Sequence, residues 1–482
     1  ELAEAYLRLD ADGKWSRKFT DAGFTAEKAP AGCHSYPFNC SLTYRQDEWS
    51  VTIAGHSRYL WSAEIYNGAN HYGRYLTHGS MQILADGEPE ISSFGSGFRV
   101  DGWDWRHIPG TTAAEIPMEA MKADVRNVDE FSGYEEMLLS DQWFAGGVTH
   151  KGNAGAYAMI LHEHDKYNGS LRAHKSYFAF GNRIIALGSD LENFLPGSSL
   201  HTTLFQNALE DPQQDITKVN GGSIAAREFH HEYEGSLITL QDRFGNAWFV
   251  RDGKVAVSRG LQYSLHEETD RTTEGYFEKA YICHGDIVGK GAITGNAYMK
   301  DSYEYMTVIH ATDEEIREYS EKLPYTVIRC DSKAHLIKDD ESGIISGSIF
   351  EELEEEDTEG WDGTATRSGI VASSPCMIMM SRSGAVLTLS ASNPDLNLYS
   401  GPSDEILDGH GKRTERSVYG REWIDAPCEE NAIDITIRGR WKLGNAGRSD
   451  VTVRNNGDTT SIHFTTGEAR TEEIELIRII GE

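Results

Sequence analysis

Ile433-Asp434-Ile435-Thr436-Ile437-Arg438 sets three isoleucines against three polar side chains at strict period two. Successive side chains of an extended strand point to opposite faces, so the segment reads as a half-buried β-strand with its isoleucines in a core. Downstream, Val451 and Val453 lead into Asn456-Gly457, and Ile462 and Phe464 resume the alternation. That is the pattern of a β-hairpin. Most of the chain repeats it, with alternation broken by Gly, Asn and Asp and with 48 glycines among 482 residues. The spacing predicts an all-β, antiparallel protein, and no fixed-period repeat suggests a solenoid.

Two stretches depart from this pattern. Leu2, Ala5, Tyr6 and Leu9 fall at helical spacing without a preceding Met, as though a helix were entered midway, which reads as an excised or processed N-terminus. Thr312 with Glu315 three residues on makes a capping box, and Leu323-Pro324 closes the helix it opens, a connector between domains. A chain of 482 residues exceeds what one core usually supports. Tyr325 to Glu482 is expected to form a β-sandwich, and residues 31 to 311 a larger many-stranded antiparallel assembly.

The net charge of -31, from 76 acidic and 45 basic side chains, argues against a nucleic-acid partner or an anionic membrane surface. An anionic substrate must meet a local basic patch. No run of about 18 apolar residues marks a membrane span. Of six cysteines, only Cys33 and Cys40 lie close together, compatible with a short-loop disulfide or with buried free thiols. The acidic stretch Glu351 to Asp357 lacks the ligand alternation and glycine turn of a cation loop. His162, His164 and Asp165, or His230, His231 and Glu232, offer metal-ligand types, but on a strand only His162 and His164 converge, with no third ligand in view. No cofactor is expected, and a divalent cation such as calcium finds no clear site.

The densest polar and aromatic cluster runs from His56 to Tyr75 and holds His56, Arg58, Trp61, Glu64, Tyr66, Asn67, Asn70, His71, Tyr72 and Arg74. A second, Gly102-Trp103-Asp104-Trp105-Arg106-His107, runs into Pro109-Gly110-Thr111-Thr112. Paired tryptophans beside charge suit the apolar faces of sugar rings, and core tryptophans before a turn give the same pattern. On a strand, Trp103 and Trp105 share one face and Asp104 turns away. Arg58, His71 and Arg74 supply positive charge suited to a sulfate or carboxylate, with structural salt bridges as the competing reading.

The stretch from Trp61-Ser62-Ala63-Glu64-Ile65-Tyr66-Asn67 through Gly68-Ala69-Asn70-His71-Tyr72-Gly73-Arg74-Tyr75 strongly resembles one in the hyaluronate and chondroitin lyase family, on its chondroitin sulfate ABC side. Six further blocks keep family order: Gly102-Trp103-Asp104-Trp105 with Pro109-Gly110-Thr111-Thr112, Lys175-Ser176-Tyr177-Phe178, Leu187-Gly188-Ser189, Thr202-Thr203-Leu204-Phe205-Gln206, Tyr303-Glu304-Tyr305-Met306 and Pro394-Asp395-Leu396-Asn397. The resemblance implies that residues 1–30 are the tail of a helical domain, 31–323 a large antiparallel β super-sandwich and 324–482 a smaller C-terminal β-sandwich. It also implies a secreted or periplasmic protein acting on an acidic polysaccharide. In the family the histidine, tyrosine and arginine nearest the chemistry come from an N-terminal α-helical domain missing from this chain, and a glutamate comes from the central sandwich.

Glu64 occupies that glutamate's position, as a catalytic-site member that orients its neighbours. Asn67 matches an asparagine that helps bind the substrate acid group, and His71, Arg74, Arg58, Trp103 and Trp105 would contact the polymer. Ala69 stands where the chondroitin AC branch has a glutamate. The expected reaction is β-elimination from a glycosaminoglycan, leaving an unsaturated uronate. The competing function is a non-catalytic carbohydrate-binding β module, and a purely structural protein would not require Glu64, Asn67 and Arg74 together.

Overall fold

The computed structural model describes residues 2–28, 30–46, 49–66, 68–85, 95–125, 135–212, 217–290, 299–354, 370–400, 407–414, 417–444 and 450–479. Asn67 and the acidic residues 355–357 lie outside them.

Two short helices, Leu2–Leu9 and Ser16–Asp21, precede the first strand. A four-stranded antiparallel sheet follows, in the order Gly32–Tyr36, Ser41–Gln46, Trp49–Ala54 and Ser80–Leu84. It faces a twelve-stranded sheet drawn from residues 112–308, whose longest strands are Phe229–Gln241, Ala247–Leu265 and Thr272–Gly285. Leu42, Tyr44, Val51 and Ile53 from the small sheet meet Tyr157, Met159, Tyr177 and Trp248 from the large one in a single apolar core. The large sheet over the small one forms the super-sandwich.

The helix Asp313–Glu321 ends this part, and its capping box forms as the sequence requires. Thr312 Oγ1 accepts from the Glu315 amide at 3.2 Å, and Glu315 Oε2 accepts from the Thr312 amide at 2.8 Å. Beyond it, a seven-stranded sheet starting at Tyr325–Cys330 packs on a four-stranded sheet containing Asn431–Arg438. Ile433, Ile435 and Ile437 point into that second core with Leu336, Ile378 and Leu389, while Asp434 is exposed. The strands Thr452–Asn456 and Thr459–Thr466 form the expected hairpin, turning through Gly457 at φ +66°.

A third core lies between the two sandwiches. Val148, Phe178, Ile185 and Met306 on the outer face of the twelve-stranded sheet meet Ile337, Met377 and Met379 of the seven-stranded one. The large sheet is therefore covered on both sides, and strand Leu200–Ala208 is buried along its whole length. All six cysteines are free, and burial pushes the Cys33 thiol up to about 12 and that of Cys40 to about 11.

Candidate functional site

Glu64 stands exposed just before the two-residue strand Ile65–Tyr66, which pairs with Glu135–Glu136. The chain then doubles back. Tyr66 and Ala69 exchange both backbone hydrogen bonds at 3.2 Å, and Asn70 takes a left-handed φ of +59°, which an asparagine tolerates better than most residues. The Asn70 side-chain Nδ2 donates to the Glu64 carbonyl at 3.2 Å and fixes the backbone on which Glu64 is carried. Tyr66 donates its phenol proton to Glu64 Oε1 at 2.8 Å. That carboxylate, helped slightly by burial, pushes the phenol up to about 12, so Tyr66 is a donor at neutral pH and not a base.

The loop is pinned from behind. The His71 amide donates to the Glu267 carbonyl at 3.0 Å, the Ala123 amide donates to the His71 carbonyl at 2.9 Å, and His71 Nδ1 lies 3.5 Å from Asp270. Tyr72 donates to the same Asp270 carboxylate at 2.9 Å and Lys122 pairs with it. Partial burial opposes ionisation of Asp270, but these donors outweigh it and hold the carboxyl below the usual range.

Arg74 is only 7 % exposed. Its Nε lies 3.3 Å from Glu163, its guanidinium stacks 3.9 Å from the Tyr167 ring centroid, and Nη1 donates to the Ala120 carbonyl. Tyr167 in turn donates to Glu136 at 2.7 Å, and Lys166 pairs with the same carboxylate. Sequence reading offers Arg74 as a substrate-facing cation; the structure commits it to a buried network that braces the Glu64 loop from beneath. Arg58 is half-buried between the rings of Tyr59 and Tyr399, at 5.2 and 5.6 Å, where the central and C-terminal sandwiches meet.

Trp103 and Trp105 do not lie on a strand. Residues 100–110 form turns, Gly102 at φ +85° among them, so the two-residue periodicity expected there does not apply. Asp104, expected to turn away, is 1 % exposed and takes Arg106 at 2.8 Å and Lys279 at 2.7 Å. Both tryptophans are largely buried, packed edge-on against Phe98, and Trp105 Nε1 donates to the Leu265 carbonyl at 3.1 Å. Their remaining surface lines a cavity of about 360 Å³, together with Asn70, Phe98, Ile108 and Glu267. Asn70 thus joins the Glu64 loop to an apolar, tryptophan-walled cavity.

His162 does not converge with His164. Its Nδ1 faces Asp141 at 2.6 Å and its Nε2 faces the Gly169 carbonyl at 2.9 Å, whereas the His164 ring accepts from the Lys166 amide at 3.0 Å. Asp270, Lys122, Lys166, Tyr167 and Glu136 carry no mark in the sequence, because they reach the site from separate segments. No local spacing could have signalled them.

The model of the polysaccharide lyase family 8 super-sandwich domain matches residues 31–320. A chondroitin sulfate ABC exolyase of Bacteroides thetaiotaomicron is 34 % identical over 501 residues, covering 99 % of this chain and 46 % of the relative. A chondroitin sulfate ABC exolyase of Proteus vulgaris is 34 % identical over 451 residues, covering 92 % and 42 %. This chain thus spans slightly less than half the length of the curated relatives it matches. Among solved structures, a Paenibacillus xanthan lyase superposes with a TM-score of 0.71 at 15 % identity over 97 % of this chain and 40 % of that one, a likeness of fold. With the family model covering most of the chain and relatives at this identity along nearly all of it, the chain belongs to polysaccharide lyase family 8.

Proposed function

We propose that this chain carries the β-sandwich part of the active site of a glycosaminoglycan lyase, which cleaves uronic-acid-containing polymers such as chondroitin or dermatan sulfate by β-elimination. A proton leaves C5 of the uronate, the glycosidic oxygen leaves C4, and a C4–C5 double bond remains. The barrier lies in removing a proton beside an ionised carboxylate, which requires neutralisation of that carboxylate. A phenolate or a neutral imidazole takes the proton, and an acid protonates the leaving oxygen. In this proposal the tyrosine, histidine and arginine of that chemistry come from an α-helical domain, in the same polypeptide or a partner. Asn67 binds the uronate acid group, and the protein acts outside the cytoplasm.

The observation that carries the reading is Glu64, an exposed carboxylate on a pinned loop, hydrogen-bonded by Tyr66 and joined through Asn70 to the tryptophan-walled cavity. Glu64 positions the groups that face it, and Tyr66 keeps one carboxylate oxygen oriented. Trp103 and Trp105 wall the cavity, and Arg74 supports the loop without meeting the polymer.

The test follows the ultraviolet absorbance of unsaturated uronate with chondroitin sulfate, dermatan sulfate and hyaluronan, using this chain alone and with a family α-helical domain supplied. Product that needs the helical domain is expected. Glu64→Ala should then lower kcat by at least about 100-fold, and Tyr66→Phe by about tenfold. Full activity in Glu64→Ala refutes the site. Binding of the polymers without product in either arrangement identifies a non-catalytic carbohydrate-binding module.

A further inference from the structure

We infer that His107, Glu115 and His201 form a binding site for one divalent cation of the zinc class, clamping the tryptophan turn to the strand beside it. His107 lies in that turn, Glu115 follows strand Thr112–Ala114, and His201 lies on strand Leu200–Ala208, directly opposite Ala113. One ligand atom from each lies within 4.8 Å of the other two. His107 Nε2 is 2.9 Å and His201 Nδ1 3.9 Å from Glu115 Oε2. A tetrahedral zinc site with nitrogen and oxygen bonds near 2.0–2.1 Å needs ligand atoms roughly 3.3 Å apart, which these two separations bracket.

The surroundings orient the ligands. His201 Nε2 donates to the Arg106 carbonyl at 3.0 Å, which leaves Nδ1 as the nitrogen bearing the lone pair. His107 Nδ1 meets Thr203 Oγ1 at 3.3 Å, which leaves Nε2 directed at the carboxylate. His201 is 2 % exposed, yet its Nδ1 has no hydrogen-bond partner among the described residues. A buried acceptor left unpaired is costly, and a bound cation removes that cost. The Glu115 carboxylate divides its work: Oε1 pairs with Arg106, and Oε2 faces the two imidazoles.

Asp104 balances the cations nearby, taking Lys279 and Arg106, so a metal would not meet an uncompensated positive field. The Glu115 side chain is 34 % exposed, which leaves an approach from solvent and room for a water as fourth ligand. The imidazoles stack at 4.1 Å with 28° between their planes, and one must rotate out of the stack for the lone pairs to converge. Two nitrogens and one oxygen favour zinc over calcium or magnesium, which take oxygen ligands. Because the same turn carries Trp103 and Trp105, the cation would stiffen the wall of the 360 Å³ cavity. The inference stands independently of the proposed reaction.

Calorimetric titration of the metal-stripped chain with zinc chloride, and in parallel with calcium chloride, tests it, with the visible spectrum of the cobalt(II) form reporting geometry. One equivalent of zinc and a tetrahedral cobalt spectrum are expected. His201→Ala and Glu115→Gln should each weaken zinc by about 100-fold, Thr203→Val by about tenfold, and His463→Ala not at all. Glu115 is partly exposed, so its Gln variant keeps the fold if His201→Ala does not, as circular dichroism would show. The proposal is overturned if zinc does not bind, if binding survives Glu115→Gln undiminished, or if calcium binds as tightly in the same place.

Discussion

The network beneath the Glu64 loop turns on one residue, Glu163. It is 3 % exposed, and neither carboxylate oxygen has a well-aligned hydrogen-bond donor among the described residues, although Arg74 Nε lies 3.3 Å away. Burial raises its pKa to about 7, against the lowering effect of Arg74 and Arg413. A carboxyl raised in this way contributes stability that is full below its unfolded value, near 4.5, and is lost as pH rises through about 7. A neutral amide has no such dependence. Glu163→Gln should therefore gain stability relative to the parent between pH 4.5 and 7, by up to about 3 kcal/mol, as measured by urea unfolding across that range. A parallel pair of curves would mean that Glu163 is ionised throughout.

At the scale of elements, the turn from Gly102 to Gly110 shows how backbone conformation controls a site. Gly102 sits at φ +85°, its amide donates to Thr273 Oγ1 at 2.9 Å, and a Cβ there would stand 2.4 Å from the Gly275 nitrogen. Both the left-handed conformation and the backbone contact oppose a side chain. Gly181, at φ +56° in a turn with open space around it, presents the first obstacle without the second. Gly102→Ala should cost more than about 2 kcal/mol and Gly181→Ala about 1 kcal/mol, compared by chemical denaturation. Equal losses would show that the turn relaxes around the added methyl.

Across the whole molecule, polar side chains lock the two sandwiches together inside an otherwise apolar interface. His335 faces Ser176 and Ser189 at 2.8 and 2.9 Å, His150 faces Ser390 and Ser381 at 2.7 and 2.8 Å, and Arg183 pairs with Asp339 at 3.0 Å. Burial lowers His335 to about 3 and His150 to about 4, so both are neutral and can donate from one nitrogen while accepting at the other. Histidines depressed in this way stabilise the fold above an unfolded value near 6.5, and the contribution fades as pH falls toward 4 and 3. His335→Gln should flatten the loss of stability between pH 6.5 and 4 and lower stability at pH 7 by about 1–3 kcal/mol, read from thermal and urea unfolding. An unchanged acid limb would place the pH dependence elsewhere.

The all-β class, the capped helix at Thr312, the half-buried strand at Ile433 and the hairpin at Asn456-Gly457 were legible in the residue order alone. Each depends on contacts between residues a few positions apart, or on burial of one face of one strand. The block around Glu64 also carried the family resemblance. Which polar side chains face solvent was settled by the packing of distant segments. Alternation could not disclose that the twelve-stranded sheet is covered on both faces, because a doubly buried strand has no polar side to show. It could not turn Arg74 inward either, since that orientation depends on Glu163 and Tyr167, about ninety residues away in sequence. Nor could it bring His201 to His107, whose neighbourhood is made by strand pairing and the Gly102 turn. Periodicity reports the burial of an element against its own axis; a site assembled from distant segments is fixed by how those elements pack.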